Sequence, residues 1–208
     1  MSEISPDYKP ARILTVALQI VLVFQIGAAA GCAVATFAST SQTITLPPGI
    51  FEAYELMRRS LQFSSWVVIV VLMFWVYRVS QNAHEIADPE PTVSPGWAVG
   101  WFFVPVANLV RPYLVLSELY NASRRPDAWK ELGRPLVTGV WGILNVLAVL
   151  LFVTIRISRI NSGIPPAGLV AAGLAVVALQ QVAMLIICSR IAVWQNRISS
   201  SEGVESVF

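Results

Sequence analysis

The chain has 208 residues, of which 56% are hydrophobic and 12% are charged, and its formal net charge is +2. Soluble domains carry about 25% charged residues, so this composition excludes an ordinary soluble fold and indicates an integral membrane protein. A net charge this small gives no reason to expect a nucleic-acid partner, and the distribution of Lys and Arg among the loops is more informative.

Four long apolar runs predict an all-α membrane domain. A cleavable signal peptide has an apolar region of about 7 to 15 residues, and the first run is longer, so we expect it to be a retained helix. All four runs are near or above the about 20 residues that a spanning helix needs. The second helix should begin earlier than its apolar core, just after Pro48, and end before Pro89. The predicted transmembrane helices cover residues 13–38, 61–77, 136–155 and 167–194.

The positive-inside rule orients these helices in the cell (inner) membrane. With both termini cytoplasmic, four basic residues lie outside, Arg58, Arg59, Arg156 and Arg159. A fifth span at residues 97–120 would reverse the bias and place Arg111 in the membrane, at about 2.5 to 3.5 kcal/mol. Four spans are therefore predicted, with ten basic residues on cytoplasmic segments: Lys9, Arg12, Arg78, Arg111, Arg124, Arg125, Lys130, Arg134, Arg190 and Arg197.

The stretch WAVGWFFVPVANLVRPY, Trp97 to Tyr113, lies between the second and third spans and is too short to cross a bilayer. We predict a re-entrant or interfacial segment, because Pro105 interrupts it. Trp97 and Trp101 are one helical turn apart and suit the headgroup zone. Together with the following polar loop, this segment forms a predicted cytoplasmic interfacial module at residues 94–134.

An amphipathic helix is predicted within this module, with Asn108 as its cap and Arg111 and Pro112 in its first turn. It should run to about Ser123. Arg111 and Glu118 would share one face, either as an internal ion pair or as part of a ligand site. The sequence predicts an apolar stripe of Tyr113, Leu116, Leu119 and Tyr120, with Ser117, Glu118 and Asn121 opposite it.

Three sequence blocks in this region resemble a known family. They are FWVYRVSQNA from Phe74, SPGWAVGWFFVPVANLVRPY from Ser94, and SELYNAS from Ser117. These blocks resemble the bacterial multi-pass membrane proteins of domain-of-unknown-function family 4328, with a departure at Tyr120, where the resemblance implies Trp. The family has no assigned activity, so the resemblance implies a membrane topology and no mechanism.

Four amide side chains fall near the midpoints of their apolar runs: Gln25, Asn145, Gln180 and Gln181. Hydrogen bonding between helices is the favoured interpretation of this intramembrane polar cluster. The alternative is a polar site or a narrow path through the bundle. No Asp or Glu lies inside a predicted span, which argues against an ion-coupled transporter.

The sequence offers little for catalysis or metal binding. The only histidine is His84, and Cys32 and Cys188 lack the paired spacing of zinc sites. We therefore expect no metal, no cofactor and no enzyme. The predicted function is a non-enzymatic membrane protein whose module contacts lipid headgroups, anionic ones included, or a partner protein, which could be a second copy. The alternatives are a small channel or transporter that uses the midplane amides, or a membrane-embedded enzyme acting on lipid.

Overall fold

The computed structural model describes residues 10–38 and 48–205, and these ranges contain helices and no strand. Four of the helices are long and apolar enough to cross a membrane, which agrees with the predicted all-α membrane fold. Short 3₁₀ turns lie at Ala107–Leu109 and Trp129–Glu131. The helices are α1 (Arg12–Ala38), α2 (Pro48–Ile86), α3 (Pro95–Gly100), α4 (Arg111–Arg124), α5 (Leu136–Ser162) and α6 (Ala167–Glu205).

The four predicted spans correspond to α1, α2, α5 and α6, but three of these helices extend well past the apolar runs. Hydropathy marks only the part of a helix that suits lipid, whereas the backbone hydrogen bonds continue into polar sequence. Proline sets the start of α2 and precedes α6, as predicted. At the end of α5, Gly163 adopts a φ of 75°, which a side chain with a Cβ rarely accepts.

The long helices stand in the order α2, α1, α6, α5. α1 packs against both α2 and α6, and α6 packs against α5, but α2 and α5 scarcely touch. Polar contacts support this order: Trp75 Nε1 donates to Thr15 Oγ1 at 3.0 Å between α2 and α1. Gln19 Nε2 donates to Ser189 Oγ at 2.9 Å between α1 and α6. The first and last helices of this row, α2 and α5, therefore leave an opening between them, which we call the open side.

One end of this open side is occupied by α3, the Ala107–Leu109 turn and α4, and we call it the α4 end. α4 contacts α2, α5 and α6. The start of α1 also lies there, because Arg12 Nε donates to Asn196 Oδ1 at 3.2 Å. Gln195 Nε2 donates to Ser123 Oγ at 3.0 Å, which places the late part of α6 beside the end of α4. The termini beyond these points, residues 1–9 and 206–208, lie outside the described residues, as does the predicted external loop 39–47.

The predicted polar face of α4 is wrong. Leu116, Leu119 and Tyr120 are buried as expected, but so are two of the supposedly opposite residues, Ser117 and Asn121. The Ser117 and Thr138 hydroxyls lie 2.8 Å apart, and Asn121 Nδ2 donates to the Gly133 carbonyl at 3.2 Å. Because the connection to α5 folds back over α4, these polar groups are enclosed and need hydrogen-bond partners.

Candidate functional site: an amide-lined cleft

The four amides form hydrogen bonds that link all four long helices. Gln181 Nε2 on α6 donates to Gln25 Oε1 on α1 at 2.6 Å. Gln25 Nε2 in turn donates to Ser65 Oγ on α2 at 3.0 Å. Between α6 and α5, Gln180 Nε2 donates to Asn145 Oδ1 at 3.0 Å. The predicted polar cluster therefore does bridge helices, and Ser65 joins it.

The same amides also line a cavity, which we call the amide cleft. It has a volume of about 510 Å³ and lies on the open side of the row, between α2 and α5. Its wall includes all four amides and Ser65, together with apolar side chains such as Leu72, Val149 and Met184. At the α4 end the wall is completed by Phe102, Phe103, Asn108 and Pro112. The midplane amides and residues of the module thus line one space.

Polar atoms in the amide cleft retain hydrogen-bonding capacity. An amide carries a carbonyl oxygen and two N–H donors, and the bonds above use only one atom of Asn145, Gln180 and Gln181. Asn108 makes no side-chain hydrogen bond within the described part of the chain. The lining contains no Asp, Glu, Lys or Arg. Chemically, the cleft can therefore accept and donate neutral hydrogen bonds within otherwise apolar walls.

Trp97 lies in helix α3 near the start of the module, and Trp101 follows the last residue of that helix. Their rings lie 5.1 Å apart, and the Arg111 guanidinium carbon stands 4.7 Å from the centre of the Trp101 ring. This arrangement is a cation–π contact, in which the ring face attracts the charge. Arg111 thereby ties the start of α4 to α3.

The predicted ion pair between Arg111 and Glu118 is wrong. The Glu118 carboxylate instead accepts hydrogen bonds from the Thr92 backbone N–H and from Thr92 Oγ1, the latter at 2.8 and 2.9 Å. The predicted cap is wrong as well, because Asn108 lies in the Ala107–Leu109 turn and Val110 precedes the first turn of α4. Arg111 and Glu118 do lie in the same helix, but each contacts another partner, Trp101 for Arg111 and Thr92 for Glu118. The cap error has a different cause, because the helix begins after Val110 and does not extend back to Asn108.

A tight turn follows Pro105 at the tip of the module. Val106 has a φ of 65° and a ψ of −48°, and Ala107 N–H donates to the Pro105 carbonyl at 2.7 Å. This geometry is a strained γ-turn, and it is uncommon for a β-branched residue. Val106 is 80% exposed and Phe103 is 65% exposed. The tip of the module therefore presents apolar side chains outward.

Tyr113 positions α4 against α5. A Cβ added at Gly142 would stand 3.1 Å from Tyr113 Cβ and Cγ, so this glycine permits a close approach of the two helices. The Arg134 guanidinium carbon lies 5.9 Å from the Tyr113 ring centre on the connection between them. Pro112, the residue before Tyr113, lines the cleft. The contact between Tyr113 and Gly142 therefore holds the start of α4 next to that wall.

Comparison with known proteins identifies the family. The model of the family described as "Domain of unknown function (DUF4328)" matches residues 60–195. The chain belongs to this family. The matched part of this DUF4328 protein contains the whole module and three of the four amides, and Gln25 lies before it. No curated protein and no solved structure matches the chain.

The candidate site of the DUF4328 protein includes Ser65, which the sequence does not predict as a site residue, and Asn108, which it predicts in a different position. Ser65 was not distinguished because a serine inside an apolar run commonly bonds its own helix, and Ser65 Oγ does also donate to the Leu61 carbonyl at 2.8 Å. The sequence predicts Asn108 as a helix cap close to a possible ligand-binding face, whereas the structure has it in the wall of the cavity. Its proximity to the midplane amides depends on how the module folds back between α2 and α5, which local sequence does not encode.

Proposed function

We propose that this protein is a non-enzymatic membrane protein that binds a neutral amphipathic molecule from the bilayer in the amide cleft. The observation that carries the proposal is that amides from three helices and the tip of the module line one cavity. Cavities of about 300 to 1,000 Å³ with mostly apolar walls and a few convergent polar groups are the usual form of small-molecule sites.

The chemistry of the lining selects the class of ligand. No charged side chain faces the cleft, so an ionised ligand would lack a counter-charge in a low-dielectric region. A hydroxyl, ester or ketone group on a hydrocarbon body would satisfy the free amide atoms. Because α2 and α5 scarcely touch, such a molecule could enter sideways from the lipid.

In this proposal the module at residues 94–134 is the cytoplasmic floor of the cleft and re-enters the bilayer at its tip. The exposed apolar side chains of Phe103, Val106 and Val110 support re-entry, since a patch of this kind suits lipid better than water. The outer surface of the module remains the proposed contact for lipid headgroups or for a partner protein.

Photolabelling tests the proposal. Purified protein in phosphatidylcholine nanodiscs is exposed to a diacylglycerol that carries a photoreactive diazirine, and labelled peptides are mapped by mass spectrometry. We expect labelling of α5 and α6 around the cleft, reduced at least fivefold by Asn145→Leu combined with Gln180→Leu. Gln19→Leu is the matched control, because it removes an interhelical amide bond to Ser189 outside the cleft. Equal labelling of all three proteins would overturn the proposal.

A channel or transporter is the second candidate, because amides from three helices, α1, α5 and α6, line the same cleft. Proteoliposomes distinguish the two functions. Solute uptake or ion conduction that stops with Asn145→Leu or Gln181→Leu would favour the transport function over simple binding.

A further inference from the structure

We infer that the outer face of α5 and α6 carries a separate binding groove for one anionic phospholipid. The groove has a volume of about 640 Å³ and is lined by α4, α5 and α6. Its α5 residues, Leu136, Val137, Val140 and Leu144, differ from the α5 residues that line the amide cleft. The inference is therefore independent of the function proposed for the cleft.

Two arginines stand at the α4 end of this groove, Arg124 from α4 and Arg190 from α6. Both side chains are exposed, and neither forms an ion pair with a carboxylate in the described part of the chain. Arg190 Nη1 donates to the Tyr120 hydroxyl at 2.8 Å, which orients the guanidinium and leaves most of its donors free. Two neighbouring unpaired guanidinium groups are complementary to a phosphate.

The rest of the groove is apolar and has the length of one membrane leaflet. Along α6 it extends from Arg190 to Leu179, and eleven residues of helix rise about 16 Å. Half of a hydrocarbon core of about 30 Å has nearly the same length. Val182 and Ile186 are exposed between these two points. An acyl chain can therefore lie along the groove while its phosphate stays at the arginines.

This combination favours a lipid over a free anion or a partner helix. A free anion would not need an apolar groove one leaflet long. The positive charge is confined to one end, at the level where a phospholipid of that leaflet carries its phosphate. Basic pockets between transmembrane helices are a known form of site for anionic headgroups.

Lipid association measured by electron spin resonance tests the inference. The intact protein is reconstituted in phosphatidylcholine vesicles containing trace spin-labelled phosphatidylglycerol, and the relative association constant is compared with that of spin-labelled phosphatidylcholine. Each arginine should contribute about fivefold, the factor expected for one charge near a membrane surface. We expect Arg124→Gln combined with Arg190→Gln to lower the preference for phosphatidylglycerol by more than tenfold. Arg125→Gln combined with Lys130→Gln removes the same charge outside the groove and should change it less than twofold.

A third variant tests the acyl-chain part of the groove. Val140→Trp fills the groove without changing charge, and it should remove the preference as strongly as the arginine changes. Helical circular dichroism and a monodisperse elution profile verify that each variant is folded. An equal loss of preference in the Arg125 and Lys130 control would show that the preference for phosphatidylglycerol reflects general surface charge and not this groove. A normal preference in Val140→Trp, or competition by inorganic phosphate, would show an anion site without a lipid groove. Either result would overturn the inference.

Discussion

At the scale of single residues, the partners of Glu118 and Arg111 decide how the module is held. Glu118 anchors the loop before α3 through Thr92, and Arg111 stacks on Trp101. Hydrogen bonds to a charged group contribute about 1.5 to 3 kcal/mol when sheltered, whereas an exposed cation–π contact contributes about 0.5 to 1 kcal/mol. The carboxylate is therefore expected to matter more for local stability than the guanidinium.

Glu118→Ala should loosen the loop at residues 87–94 and lower the stability of the module by about 1.5 kcal/mol, the lower end of that range because the contact is partly exposed. The rate of limited proteolysis between α2 and α4 measures the effect. Thr92→Val should reproduce part of it, and Arg111→Ala should have a smaller effect. Exchanging the charges, with Arg111→Glu and Glu118→Arg together, should not restore protease resistance. Restoration would reinstate the direct ion pair.

Val106→Gly should stabilise the module by about 1 kcal/mol, because glycine accepts the positive φ without the steric cost that valine bears. Val110→Gly is the control, since Val110 has a φ of −122° and gains no such relief. Thermal denaturation in nanodiscs compares the two substitutions. A lower midpoint for Val106→Gly would contradict this prediction. It would mean that contacts of the valine side chain stabilise the module by more than the strained backbone destabilises it.

At the scale of elements, α4 packs closely against α5 beside the cleft, whose wall includes Pro112 of α4 and Trp141 of α5. Gly142 faces Tyr113 closely, whereas a Cβ at Gly139, one turn earlier on the same helix, would meet nothing within 4 Å. The two glycines therefore offer a matched pair of substitutions that differ in packing and share the same helix propensity.

Gly142→Ala should destabilise the protein by about 1 to 3 kcal/mol, because the added methyl group forces α4 away from α5. Gly139→Ala should be neutral or stabilising by up to about 1 kcal/mol, since alanine is the better helix former. Thermal unfolding followed by circular dichroism distinguishes them. Similar midpoints for both variants would contradict the close packing of Tyr113 on α5.

At the scale of the whole molecule, the sequence predicted the four helices and their chain order, because long apolar runs report directly on length and burial in lipid. It also predicted that Gln25, Asn145, Gln180 and Gln181 share one depth. It did not predict which amides pair, nor that α2 and α5 stand apart. Those features depend on contacts between residues such as Gln25 and Gln181, which are distant in the chain.

The charge distribution predicts that the α4 end is cytoplasmic. On a background in which Cys32 and Cys188 are replaced by alanine, single cysteines at Asp127 and Ser162 report on the two ends. An impermeant thiol reagent applied to intact cells should modify the cysteine at Ser162 and not the one at Asp127. The opposite pattern would mean either that the molecule is inverted or that residues 97–120 form a fifth span, and modification of both would contradict a spanning α5.

The pairing of polar groups has a consequence for how the chain is made. Gln25 finds Ser65 within the first helical hairpin, and Gln180 finds Asn145 within the second. Each hairpin can therefore leave the insertion machinery with one amide hydrogen bond already made to its own partner helix. The bond between Gln181 and Gln25 joins the hairpins, and it forms only after the last helix has been synthesised. Biosynthesis can thus proceed in two halves that assemble laterally, with the packing of α1 on α6 as the final step.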